Sequence, residues 1–86
     1  MIAISERARE ILTRAAASAR RSDPEARIRI ARDGAGIRSG FAHAPELGDR
    51  VIEDADVTVF VEDGLEGTID VTQAHDRLIL RPGGGG

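Results

Sequence analysis

Only one stretch of this chain repeats its apolar residues at helical spacing, and it comes first. Ala8, Ile11, Leu12, Ala15, Ala16 and Ala19 recur at three- and four-residue intervals, which predicts one amphipathic helix over residues 6–21. Ser5 stands at the N-cap position, where its hydroxyl can accept from a free amide of the first turn. Glu10 and Arg14 form a favourable i,i+4 pair, and Arg20 and Arg21 suit the negative end of the helix dipole. Asp23-Pro24 stops the helix, because the residue before proline is driven out of the helical region. The alanines let the helix approach a sheet closely.

The rest of the chain reads as short strands. Ile2 and Ile4 flank Ala3 in a short opening strand. Ile28 and Ile30 alternate with Arg27 and Arg29 and face inward from a strand over 26–32, although Ala31 stands where a third outward charge is expected. Residues 33–40 form a glycine-rich loop, followed by a short strand from Phe41 to Ala44 that Pro45 ends. Leu47-Gly48-Asp49 turns into a strand beginning at Val51 and Ile52, and Asp54-Ala55-Asp56 turns again. Val57, Val59 and Val61 alternate with Thr58 and Phe60 in the clearest strand. A tight connection around Leu65 leads to a strand over 68–71, a turn at 73–76, and a last strand with Leu78 and Leu80 facing the core. One helix followed by six or seven short strands predicts an α+β, mostly β domain spanning 1–82, with 83–86 a flexible glycine tail.

At 86 residues the chain is one small domain, and its size alone implies a stability of roughly 4–13 kcal/mol. With no cysteine there is no disulfide or thiolate metal site to reinforce the packing, so the core must pack efficiently or gain burial from a second copy. The start lacks the charge-then-apolar pattern of a signal peptide, and no long apolar run predicts a membrane span, so the expected location is cytoplasmic. The net charge of −3 is unevenly placed: eight arginines against four acids over residues 1–32, and four arginines against eleven acids over 33–86. That polarity, with only two aromatics, is unlike a nucleic-acid binder.

No catalytic set is legible, and the expectation is not an enzyme. Gly34, Gly36 and Gly40 approximate a dinucleotide fingerprint, but that motif needs a helix to begin beside it, and Pro45 and Gly48 interrupt. Ser39 lacks the flanking glycines of a nucleophile elbow. His43, placed on the predicted strand on the same face as Phe41, and His75 with Asp76 are weak metal-ligand candidates, because no ligand spacing relates them. The acids between Glu46 and Glu66 lack the glycine and closing glutamate of a calcium loop. Arg7, Arg14 and Arg21 recur every seven residues and form one stripe on the helix, a candidate docking strip for an acidic surface, including the acidic 46–66 region of a second copy.

Taken in order, these segments resemble the HesB/IscA family, the A-type carriers of iron-sulfur cluster biogenesis. The resemblance runs from Ile2 to Pro82. It rests on Ile2-Ala3-Ile4-Ser5 and its helix, the strand 26–30, Ile37-Arg38-Ser39-Gly40-Phe41-Ala42-His43, Gly48-Asp49, Val57 to Val61, Leu65-Glu66-Gly67-Thr68-Ile69-Asp70 and Arg81-Pro82. It implies a small β-sandwich or pseudo-barrel with one helix packed on it. It also marks the departures. The family's first cluster-binding cysteine falls at Arg38, and its C-terminal Cys-x-Cys has no counterpart in Gly83 to Gly86. A guanidinium cannot replace the thiolate that an iron-sulfur site needs. The resemblance therefore implies a cysteine-free bacterial relative: a non-catalytic binding or scaffold module, without cofactor, with a protein partner or a second copy of itself. Weak metal binding through histidines and carboxylates, and a small-ligand site in the 33–40 loop, stand as alternatives.

Overall fold

The computed structural model describes residues 2–54, 57–72 and 77–82. It contains β1 (Ile2–Ile4), α1 (Glu6–Arg20), β2 (Arg27–Asp33), β3 (Gly36–Ala42), β4 (Arg50–Asp54), β5 (Val57–Val61), β6 (Gly67–Thr72) and β7 (Arg77–Arg81). The α+β, mostly β class expected from the patterning is the one observed. The turns expected at 54–56 and 73–76 and the tail at 83–86 lie wholly or largely outside the described residues.

Two sheets face each other. One has the order β1-β6-β7 and the other β3-β2-β5-β4. β1 pairs with β6 and β2 with β5 in parallel, while the β2–β3, β4–β5 and β6–β7 pairs are antiparallel. Both parallel pairs join strands apart in sequence: α1 and β2 to β5 lie between β1 and β6, and β3 and β4 lie between β2 and β5.

Local chemistry accounts for the helix and its limits. Ser5 accepts from the Ala8 amide at 3.1 Å and so satisfies one orphan donor of the first turn. Arg21, expected inside the helix, is its C-cap. Beyond it the Asp23 carboxylate accepts the Glu25 amide at 3.1 Å, an Asx turn that prevents continuation. The helix buries Ala8, Leu12 and Ala16, four residues apart, while Ile11 packs half-buried at the margin. These side chains meet the inner faces of both sheets: Ile28, Ile30 and Ile37 from β2 and β3, Val57, Val59 and Val61 from β5, and Ile69 and Val71 from β6. Leu65, between the 63–64 turn and β6, is also buried there, and Leu78 and Leu80 are half-buried against the same core.

The glycine-rich stretch is the main correction. Residues 33–40 are not a loop. β2 continues to Asp33, the chain reverses over Gly34 and Ala35, and β3 begins at Gly36. Gly34 takes a φ of 61°, a left-handed conformation that glycine adopts without steric cost and that suits a tight hairpin. β3 then pairs with β2 along its whole length, from Asp33↔Gly36 to Arg27↔Ala42. It ends at Ala42, so His43 and Ala44 fall past the strand expected there.

Leu12→Ala is expected to lower stability by about 2–5 kcal/mol, because Leu12 is almost fully buried between helix and sheets. Urea denaturation followed by circular dichroism checks this, and a midpoint unchanged from wild type would show that this face of the helix is not core.

Candidate functional site

The alternation along β2 gives the four-stranded sheet an inner and an outer face. Ile28 and Ile30 point into the core, so Arg27, Arg29 and Ala31 lie on the outer face. Register places Ala42, Gly40 and Arg38 of β3 directly beside them, and Phe60 of β5 beside Arg29 on the other flank.

The connection 43–49 passes over this face and is fastened to it by one ion pair. Arg29 donates from Nε to Asp49 Oδ2 and from an Nη to Asp49 Oδ1, both at 2.9 Å, a bidentate fork. Asp49 Oδ2 also accepts the Glu46 amide at 2.8 Å, and the Asp49 amide donates to the Glu46 carbonyl at 2.9 Å. The Asp49 side chain is 1% exposed. The Arg29 fork holds the Asp49 carboxyl below the usual aspartate range against the opposing effect of burial, and the Arg29 guanidinium is in turn held more firmly protonated. Gly48, at φ 89°, makes the turn that brings Asp49 inward.

What the connection leaves uncovered is a cleft of about 320 Å³ lined by Arg29, Ala31, Arg38, Ser39, Gly40, Phe41, Ala42 and Glu46. Its floor is Ala31, Gly40 and Ala42, the small residues of the outer face. The break in the alternation at Ala31 has its structural counterpart here: the residue opposite Arg38 is small, and a third large side chain would fill the cleft. A Cβ added at Gly40 meets nothing within 4 Å, so the space above it is open. Around the floor stand two guanidiniums of different standing. Arg29 is committed to Asp49, whereas Arg38 is exposed and makes no ion pair among the described residues. Glu46 stands 3.6 Å from Arg29 with its side chain 70% exposed.

The other residues singled out from sequence do not converge on this cleft. Arg7, Arg14 and Arg21 are all exposed, on α1 and its C-cap, and none forms an ion pair among the described residues. Arg7 lies near the Asp70 carboxylate, which accepts from the Ser5 hydroxyl at 2.8 Å and from the Val71 amide at 2.8 Å and pairs with Arg81 Nε at 2.8 Å. The Ser5 hydrogen bond, then that of Val71, keeps Asp70 below its ordinary range. His43 does not sit on β3 beside Phe41. It turns to pair with Asp23 through Nε2, which raises the imidazole above its usual range and lowers Asp23. His75 and Asp76 lie outside the described residues, and among the described ones no three histidine, cysteine, aspartate or glutamate side chains stand together. No described helix is long and apolar enough to cross a membrane.

The Arg29–Asp49 pair was missed in the sequence, since twenty residues separate the partners. The available signal was an outward arginine mid-strand and an aspartate directly after a glycine turn.

No protein-family model, curated protein or solved structure matches the chain.

Asp49→Asn removes the charge of the clamp and is expected to lower the urea midpoint at pH 7. The lowered Asp49 carboxyl contributes stability that is fully present above its unfolded value, near pH 4, and is lost as the pH falls through the lower folded value. The two proteins should therefore differ at neutral pH and converge in acid, and denaturation midpoints measured across pH 2–7 check this. His43 should titrate above about 6.5 in an NMR experiment and return toward that value in Asp23→Asn. Its stabilising share is present below the unfolded value and fades as the pH rises through the folded one.

Proposed function

We propose that this chain is a non-catalytic binding or scaffold module, a cysteine-free relative of the HesB/IscA carriers in which the place of the first cluster ligand has become part of a cationic binding cleft. One observation carries the reading: Arg38, at the position where the resemblance implies a cysteine, lines a cleft on the outer β2–β3 face and has no ion-pair partner among the described residues. A solvated arginine needs no such setting. One beside a shallow floor of Ala31, Gly40 and Ala42 offers charge and flat contact area together.

The chemistry follows from the side chains. Iron-sulfur ligation needs soft thiolates, and the chain has none. Arginine binds instead through planar, charge-assisted hydrogen bonds, which suits carboxylates and carbonyl-rich protein surfaces. The cleft accordingly recognises a protein surface and performs no reaction.

Two experiments test this. Anaerobic incubation with iron and sulfide, followed by desalting, should leave no charge-transfer absorbance, and a stable cluster would overturn the reading. Gly40→Leu places a side chain in the cleft at a position where a Cβ meets open space and where the backbone is not of positive φ, and circular dichroism checks that it folds. Proteins retained on immobilised wild type but lost on Gly40→Leu are then titrated into isotopically labelled wild type. The expected amide shifts cluster at 29–31 and 38–42. Shifts confined to α1, or no retained protein that distinguishes the two baits, would remove the cleft as the binding site.

A further inference from the structure

We infer that the cleft is a self-docking surface, on which a second copy of this chain sits about a twofold axis so that Arg38 of each copy meets Glu46 of the other. The inference rests on the reading of the cleft as a binding site and names its occupant.

The charges select that occupant. The cleft carries one cation and one anion that the fold leaves loosely engaged. Arg38 has no ion pair among the described residues. Glu46 reaches only Arg29, at 3.6 Å, and that guanidinium is already held in a bidentate fork by Asp49. An acidic peptide entering here would meet Glu46, and a basic one would meet Arg38. A surface bearing both signs side by side is complementary to itself under a twofold rotation, because an isologous contact brings residue i to j and j to i. Two ion pairs then form from one pair of residues.

One apolar side chain agrees with this. Leu47, next to Glu46 on the crossing connection, is fully exposed, whereas Phe41, opposite Ile28 in register, has its ring on the other face of the sheet. A twofold contact through Arg38 and Glu46 covers the Leu47 of each copy. The floor of Ala31, Gly40 and Ala42 leaves room for the stem of an incoming arginine to lie flat, with its charged head at the rim.

Sedimentation velocity on the full chain, from about 1 μM to about 1 mM at low and high salt, tests the inference. The expected behaviour is a reversible monomer–dimer equilibrium that weakens as salt rises, because rim charges are screened. Arg38→Glu and Glu46→Arg should each raise the dimer Kd at least about tenfold, and the double reversal Arg38→Glu with Glu46→Arg should restore it to within about threefold. Both positions are exposed, and circular dichroism of each variant checks that it folds. Arg14→Glu, on the helix stripe, should leave the dimer unchanged. A monomer throughout, a dimer indifferent to Arg38 and Glu46, or a dimer abolished by Arg14→Glu overturns the inference. If the chain is monomeric yet Gly40→Leu still removes a retained protein, self-docking falls and the cleft stands as a site for another partner. If Gly40→Leu changes neither, both fall.

Discussion

The outer face of the four-stranded sheet depends on one part-buried ion pair. β3 and β4 are consecutive in the chain but occupy opposite edges of the sheet, so the connection between them has to cross a face. A crossing segment of seven residues has few apolar groups with which to hold itself down: its one large apolar side chain, Leu47, points into solvent. The Arg29–Asp49 fork supplies the attachment. Its two parallel hydrogen bonds fix the orientation of the segment as well as its position, and the Glu46 amide satisfies more of the buried carboxylate. Phe60, beside Arg29 on the same face, is thereby buried although it alternates with the core valines. The sheet is apolar on both sides at that point.

A second polar junction does comparable work at the other sheet. Asp70 of β6 receives the Ser5 hydroxyl from the start of α1 and pairs with Arg81 of β7, and the Ser5 amide donates to the Ile69 carbonyl at 2.9 Å. Helix start, central strand and last strand meet on one carboxylate. The two junctions differ in what they leave free. Around Asp70 the polar groups satisfy one another. Around Asp49 the fork consumes Arg29 and leaves Arg38 and Glu46 without strong partners, and the proposed binding role of the cleft rests on this uncommitted charge over a floor of small side chains.

Much of the fold was legible because it rests on local periodicity. The helix, its serine cap, the inward pair Ile28 and Ile30 and the valine strand all follow from spacing that a single burial plane imposes. The hairpin at Gly34 was not legible. Ile37-Arg38-Ser39-Gly40 has one aliphatic residue and no alternation, and nothing in it demands a strand. It is one because β2 offers a full ladder of backbone partners and Ile37 reaches the core, so tertiary pairing overrides weak local preference. The placement of His43 failed for the same reason: with the strand ending at Ala42, Asp23 was the charge within its reach.

The candidate site divides in the same way. Composition alone removed thiolate chemistry, since a chain without cysteine cannot ligate a cluster through sulfur, and the stripe of Arg7, Arg14 and Arg21 could be read from helical geometry because its members lie on one element. The cleft could not. Arg29, Arg38, Glu46 and Asp49 come from two strands and a connection, and their roles depend on register: which residue lies opposite which, and which arginine the aspartate reaches. A sequence specifies the side chains at each position, but only the pairing of β2 with β3 and the crossing of 43–49 decided that one guanidinium would be bound and its neighbour left free.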